Sequence, residues 1–175
     1  MNKIDYTMVN IVRKLKGKIL GFSIENDKIL NELKENANIV EVNILSNNGS
    51  SKGNIRRKKG KTINYKKVRK FGHNKYDAII CDYNKMDRYK RRFISDSVYL
   101  SNSDIYIIIP SDLLDVLVRR YKRYSSEIDV FECKDGYIVK VGVSKSKNGY
   151  FKDRFYLALD FLYDAYDFIG DILVN

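Results

Sequence analysis

Polar residues that directly follow apolar, strand-like runs are the groups in this sequence best suited to chemistry. Asp82 follows such a run within Tyr76–Tyr83, and its carboxylate would suit a polar contact to a ligand or a substrate amine. Ser23, Glu25 and Asn26 follow an earlier run in the same way. Structural uses exist for the same residues, because a strand-end aspartate caps turns and a glutamate at a helix start is favoured by the helix dipole.

The reactive residue types elsewhere favour structural roles. His73 is the only histidine and lies in a Phe-Gly-His-Asn turn, with no serine or cysteine nucleophile nearby, so we interpret it as a surface turn residue rather than a general base. Cys81 and Cys133 both lie inside apolar runs, which indicates buried thiols of a protein in a reducing compartment. Without a Cys-x-x-Cys pair or a second histidine, no zinc site is expected.

The positive charge of the chain is concentrated in one place. Residues 46–76, which we call the basic segment, contain eleven of the 33 lysines and arginines and no acidic residue. The other 22 basic residues balance the 22 acidic ones, so the segment carries the whole formal net charge of +11. A block of like charge without acidic residues repels itself and favours binding to a polyanion.

Nucleic acid is the polyanion that this pattern favours, because neutralised phosphates release counterions. Tyr65 and Phe71 interleave with the charges and would stack on exposed bases, which favours RNA or another single strand. Two alternatives remain open, namely a solvated loop without a partner and a docking loop for an acidic protein. The predicted phosphate contacts are Arg56, Arg57, Lys58, Lys59, Lys61, Lys66, Lys67, Arg69 and Lys70.

Hydrophobic periodicity predicts strands that alternate with helices. The predicted strands are Lys18–Ile24, Ile39–Leu45, a short one within Thr62–Val68, Tyr76–Tyr83, Asp104–Pro110, Glu127–Cys133 and Tyr137–Val143. The predicted helices are Lys3–Lys16, one that begins at Asn26 or Asp27, one within Asn84–Ser103, one capped by Ser111, and Phe151–Leu173.

This order indicates an α/β protein with a mainly parallel sheet between two helical layers. The last two strands predict an antiparallel hairpin at the edge of the sheet, since Asp135-Gly136 stands in their short connection. We expect residues 1–175 to form a single Rossmann-like three-layer domain with a basic loop at about 46–76 and extra N- and C-terminal helices. A cytoplasmic location is expected because the sequence has no signal peptide and no apolar run long enough to span a membrane.

The order of elements resembles the Rossmann-like core of the class I S-adenosylmethionine-dependent methyltransferases. Tyr76–Asp82 is similar to the family's fourth strand, in which an aromatic-Asp pair precedes an aliphatic run. Asp104–Pro110 resembles the fifth strand, and residues 128–143 resemble the closing hairpin. The resemblance covers residues 18–143 by topology. It implies that S-adenosylmethionine binds beyond the carboxyl ends of the strands.

Residue by residue, the resemblance implies cofactor contacts from Ser23, Glu25, Asn26 and Asn47 and catalytic positions for Asp82 and Tyr83. Three departures accompany it. Gly21 lies inside the first strand, and no glycine-rich loop follows that strand. No acidic residue ends the second strand, where Asn47 offers a neutral amide. The Asx-Pro-Pro-aromatic motif of amino methyltransferases is absent after the fourth strand.

These observations lead to one functional hypothesis and two alternatives. The first is a methyltransferase-like domain that engages nucleic acid, with RNA favoured, through the basic segment. The second is a non-catalytic nucleic-acid-binding protein on a degenerate Rossmann scaffold. The third is a protein-interaction module whose basic segment docks on an acidic partner. The missing glycine-rich loop is the feature that separates the first from the other two.

Overall fold

The computed structural model of the chain describes residues 3–46, 62–64, 75–86, 90–143 and 162. These residues form one seven-stranded sheet with helices on both faces. The helices are α1 (Lys3–Lys14), α2 (Asp27–Glu35), α3 (Lys90–Leu100) and α4 (Leu114–Tyr121). The strands are β1 (Gly17–Phe22), β2 (Ile39–Ser46), β3 (Thr62–Asn64), β4 (Tyr76–Asp82), β5 (Ser101–Ile109), β6 (Ile128–Cys133) and β7 (Gly136–Gly142).

The strand order across the sheet is β3-β2-β1-β4-β5-β7-β6. The first five strands in this order pair in parallel, and β7 pairs antiparallel with both β5 and β6. The predicted α/β class and the closing hairpin are therefore confirmed. The hairpin lies at the edge of the sheet, as predicted, with β7 next to β5 and β6 outermost. Burial explains this arrangement, since β7 carries three fully buried residues: Ile138, Val139 and Val141.

One face of the sheet is covered by α1 and α2. Helix α1 buries Ile4, Met8 and Val12 against this face, as its predicted helical periodicity requires. Helix α2 adds Ile29 and Leu33 to the same apolar cluster. The connection from β1 to β2 therefore passes over this face.

The opposite face is covered by α3 and α4, which contribute residues such as Phe93 and Leu117 to a second apolar cluster. Strand β5 lies between the two clusters, with Ile107 and Ile109 in one and Ile108 in the other. All three isoleucines are buried, and their side chains alternate between the two faces, as in a central strand. The sheet is thus the middle layer of three.

Several predicted boundaries needed correction. Strand β5 begins at Ser101, three residues before the predicted start, because this serine is fully buried at the level of Tyr76 on β4. Ser111 starts a single 3₁₀ turn, and α4 begins three residues later without a side-chain cap. The predicted last helix, Phe151–Leu173, lies outside the described residues except for Leu162. None of the described helices is long and apolar enough to cross a membrane.

Candidate functional site

The chain turns in opposite directions after β1 and after β4, although these two strands are neighbours. From β1 it continues into α2 on one face, whereas from β4 it continues towards α3 on the other face. Such a reversal opens a crevice beyond the carboxyl ends of the two strands, which is where parallel α/β sheets bind ligands. Phe22 pairs with Cys81 in this part of the sheet, so the next residues, Ser23 and Asp82, stand at the same level.

Ser23, the first residue after β1, has an unusual backbone conformation. Its φ angle is +51°, the only positive φ of a non-glycine residue among the described residues. Its backbone N–H donates to the Leu45 carbonyl at 2.9 Å, which ties the turn to β2. The residue is only 5% exposed, and none of the described residues forms a hydrogen bond with its hydroxyl. A buried hydroxyl without a partner is costly, as is left-handed backbone at a residue with a Cβ.

Gly21 lies inside β1, and the close packing of β1 against β2 explains why a glycine stands there. A Cβ atom at this position would come within 2.6 Å of Ile44 Cδ1 on β2 and 3.3 Å of Ile24 Cγ1. The glycine therefore serves the close packing of β1 against β2, and it does not open the following turn. The left-handed backbone conformation, which glycine adopts most readily, occurs at Ser23 instead.

The turn after Ser23 leads directly into α2. The Asn26 side-chain oxygen accepts hydrogen bonds from the N–H groups of Lys28 at 3.0 Å and Ile29 at 3.4 Å, so Asn26 is the N-cap of the helix. This confirms the capping prediction for Asn26. Glu25 is exposed and lies close enough for its charge to act on Asp82. The two carboxyl groups therefore share the edge beyond β1 and β4.

Asp82 is half-buried at the end of β4, and its Oδ1 atom accepts a hydrogen bond from the Asn84 N–H at 3.1 Å. The turn-capping alternative is thus present in the structure. Burial raises the pKa of the Asp82 carboxyl above its ordinary value, and the negative charge of Glu25 raises that pKa further. Hydrogen bonds from the backbone of Asn84 and the charge of Lys85 oppose this shift only in part. Asp82 is therefore a carboxyl group that holds a proton more readily than a solvated one.

Tyr83 points away from this edge. Its ring is 7% exposed and belongs to the apolar cluster under α3, where it packs on Phe93 with 6.1 Å between the ring centroids. Its hydroxyl donates to the Lys90 carbonyl at 3.2 Å, and the Lys90 ammonium lies 5.5 Å from the ring centroid. The side chain therefore anchors the turn that carries Asp82.

The structure brings together Ser23, Glu25 and Asp82 from the sequence prediction. Asn47 and the nine predicted phosphate contacts lie outside the described residues. Sequence reasoning included Ser23 but missed its left-handed backbone, because the residue type gives no signal of it. Both cysteines are free and buried, as predicted, and the described part of the chain has no cluster of metal ligands.

No family model matches the sequence, and no curated protein matches it. Solved structures do match the fold. A bacterial Hen1 methyltransferase domain superposes with a TM-score of 0.62 at 10% identity, over 81% of this chain and 98% of that domain. Spermidine synthase from Thermotoga maritima gives 0.60 at 16% identity over 86% of this chain, and an rRNA N2 G1207 methyltransferase from T. thermophilus, in complex with AdoMet and guanosine, gives 0.53 at 10% identity over 80%.

The chain spans 62% of the length of that synthase and 39% of the rRNA methyltransferase. At identities of 10–16% these likenesses establish the fold and leave the reaction open. The chain has the Rossmann-like fold of class I S-adenosylmethionine-dependent methyltransferases, as the order of its elements predicted.

Proposed function

We propose that this chain binds S-adenosylmethionine beyond the carboxyl ends of β1 and β4 and engages nucleic acid, with RNA favoured, through the basic segment. The observation that carries the cofactor part is the orphaned, buried hydroxyl of Ser23 at the reversal point of the sheet. A polar ligand in the crevice would supply the missing hydrogen-bond partner, so the residues present fit such a group. Solved methyltransferases of the same fold support the choice of ligand.

The cofactor, when bound, would supply an electrophilic methyl group. In our proposal the turn from Ser23 to Asn26 holds it from the β1 side, and Asp82 faces the acceptor group from the β4 side. Because its pKa is raised, Asp82 is suited to accept a hydrogen bond, and then a proton, from an amine of the substrate. Tyr83 acts as a positioning residue, since its buried ring and its bond to Lys90 fix the turn behind Asp82.

The basic segment supports the nucleic-acid part of the proposal. Its strand β3 pairs with the carboxyl half of β2, where Ile44 faces Thr62 and Ser46 faces Asn64. Because β2 and β3 are parallel, the carboxyl end of β3 lies at the same end of the sheet as Ser23 and Asp82. Two basic runs flank β3 in the sequence, Arg56–Lys61 and Lys66–Lys70. A phosphate backbone bound there would approach the proposed cofactor site.

A non-catalytic nucleic-acid-binding domain is the second candidate, and one observation favours it. The turn after β1 contains no glycine, and its left-handed position is occupied by a serine with a Cβ atom. A degenerate cofactor turn would leave the fold and the basic segment as the working parts. Nucleic-acid binding without cofactor binding would distinguish this candidate from the first.

Calorimetric titration with S-adenosylmethionine and S-adenosylhomocysteine tests the cofactor part. We expect saturable heat with one site, and a ligand-dependent rise in melting temperature by mass action. Adenosine and free methionine, titrated separately, serve as controls for weak fragment binding. No heat and no thermal shift at millimolar ligand would reject the enzyme proposal and favour the second candidate.

Fluorescence anisotropy at several salt concentrations tests the nucleic-acid part, with a single-stranded RNA, a single-stranded DNA and a duplex. Replacing Arg56, Arg57, Lys58 and Lys59 together by Ser should weaken binding and flatten the salt dependence, because fewer counterions are released. A control variant with four exposed lysines elsewhere replaced by Ser, namely Lys16, Lys28, Lys122 and Lys134, removes the same charge from the neutral remainder. Equal effects of the two variants would reject the segment as the specific contact.

A further inference from the structure

One hydroxyl distinguishes this chain from a domain with a glycine-rich turn. Glycine adopts the left-handed backbone conformation at no steric cost, but it has no side chain that could bind a ligand. Here the same backbone conformation occurs at Ser23, whose φ is +51° and which is buried directly after β1. The residue therefore keeps a strained conformation and a polar group that has no hydrogen-bond partner among the described residues.

The polar groups of the described residues around that hydroxyl are bonded elsewhere. The Ser23 N–H is already bonded to Leu45, and the Asn26 side chain accepts from the first turn of α2. Asp82, at the same level on β4, accepts from the backbone of its own turn. The serine hydroxyl can both donate and accept, so it is an unused hydrogen-bonding group directly after the carboxyl end of β1.

We infer that the Ser23 hydroxyl forms a direct hydrogen bond to the bound nucleoside cofactor and takes over part of the work of a glycine-rich turn. This inference rests on the proposed function, because it concerns the same crevice and the same ligand. Strain at a site is retained when it serves binding, and Ser23 would be held in its costly conformation for the ligand. One residue would thus lower the stability of the free protein and raise its affinity for the cofactor.

Two substitutions at this position separate the two effects. Ser23→Ala removes the hydroxyl and keeps a Cβ in the left-handed conformation, so affinity should fall while the melting temperature of the free protein rises less than in Ser23→Gly. Ser23→Gly removes the hydroxyl and the strain together, so affinity should fall while the melting temperature of the free protein rises. Ser103→Ala serves as the matched control, because Ser103 is exposed near the opposite end of the sheet and only its backbone is bonded.

The experiment is a titration of the full chain and its three variants with S-adenosylhomocysteine, with the melting temperature of each free protein measured in parallel. We expect Kd to rise on the order of ten-fold for Ser23→Ala and Ser23→Gly, and to stay unchanged for Ser103→Ala. Wild-type affinity in both Ser23 variants would overturn the inference and leave the proposed cofactor site standing, the hydroxyl then serving a bound water only. No binding by the wild-type protein would overturn the proposed function and the inference with it.

Discussion

The two ends of the β1–β4 pair solve the same structural problem with different residues. Strand β1 begins at Gly17 with φ +78° and is followed at its other end by Ser23 with φ +51°. The Gly17 N–H donates to the carbonyl of Asn38, just before β2, at 3.0 Å. The Ser23 N–H donates to the carbonyl of Leu45, on β2, at 2.9 Å. The left-handed backbone is thus occupied by glycine at the amino end and by a serine at the carboxyl end.

The two aspartates of β4, Asp77 at its amino end and Asp82 at its carboxyl end, also have different surroundings. At the amino end, Asp77 accepts a hydrogen bond from the Lys18 N–H at 2.8 Å and another from the Asn102 side chain at 3.3 Å. At the carboxyl end, burial raises the pKa of Asp82, and the nearby Glu25 adds a like charge. At the amino end, the Asp77 carboxylate is hydrogen-bonded by other parts of the chain. At the carboxyl end, Ser23 has a buried hydroxyl without a partner among the described residues, and Asp82 has a raised pKa.

In our proposal, this difference separates a structural end of the strand pair from a ligand-binding end. Local rules of backbone and hydrogen bonding are obeyed where the protein needs only stability. They are broken at the end where parallel α/β sheets bind their ligands. The substitutions below test whether the contrast between the two ends is real, beginning with the largest expected effect.

Gly17→Ala should be strongly destabilising. The new Cβ would be held in left-handed backbone and would meet the Asp77 side chain, whose Cγ lies 2.8 Å from the Cβ position. Strain together with disturbed hydrogen bonds to a carboxylate should lower the free energy of unfolding by roughly 2–4 kcal/mol. Urea denaturation of the two proteins measures this loss. A loss below about 0.5 kcal/mol would place Gly17 among ordinary surface positions and remove the contrast.

Ser23→Gly should have the opposite sign and a smaller size. Relief of left-handed strain, about 1–2 kcal/mol, exceeds the entropy that glycine gains in the unfolded chain, about 0.5–1 kcal/mol. The free protein should therefore gain roughly 0.5–1 kcal/mol, which corresponds to a melting temperature about 1–4 °C higher for a chain of this size. Differential scanning calorimetry without ligand checks this. A lower melting temperature would mean that Ser23 is structurally optimal.

Asp82→Asn should raise stability in a pH-dependent way. Because the pKa of Asp82 is raised on folding, the folded protein binds this proton at a higher pH than the unfolded chain does. The ionised carboxylate thus lowers stability above its folded-state pKa, and the cost disappears as the pH falls towards about 3.9, the pKa of an unperturbed aspartate. The amide variant should be more stable than wild type at pH 7 and equal to it near pH 4.

Asp77→Asn is the matched control for that comparison. Both oxygens of its side chain accept hydrogen bonds, one from the Lys18 N–H and one from the Asn102 side chain. An amide loses one of these acceptors, so stability should fall. Urea unfolding between pH 4 and pH 8 follows both variants. A constant difference between Asp82→Asn and wild type over this range would contradict the raised pKa.

The sequence predicted the body of the sheet better than its ends. The apolar runs of β4 and β5 identify buried parallel strands whatever surrounds them, and Ile107–Ile109 are buried as expected. The sequence placed Ser101 in the segment Asn84–Ser103, for which a helix was predicted, because only its pairing with β4 reveals that this serine is buried in a strand. Which strand of the hairpin lies inside also depends on pairing that no local pattern encodes.

The sequence predicted which residues lie close together at the carboxyl ends of β1 and β4, but not their conformation or burial. Asp82, Glu25 and Ser23 follow strands, and parallel strands bring their carboxyl ends together, so proximity could be derived from topology. The left-handed backbone of Ser23, the burial of its hydroxyl and the inward direction of the Tyr83 ring arise from packing between distant parts of the chain. These features require the tertiary structure.

The most direct test of the central claim is amide NMR of the full chain during titration with S-adenosylhomocysteine. The account predicts that the amide shifts of residues 23–27 and 82–85 change in a saturable way. It also predicts that Gly17, Lys18 and Asp77, at the other end of the same strands, keep their positions. Changes at the amino end, or no changes at millimolar ligand, would contradict the assignment of the carboxyl end as the ligand site.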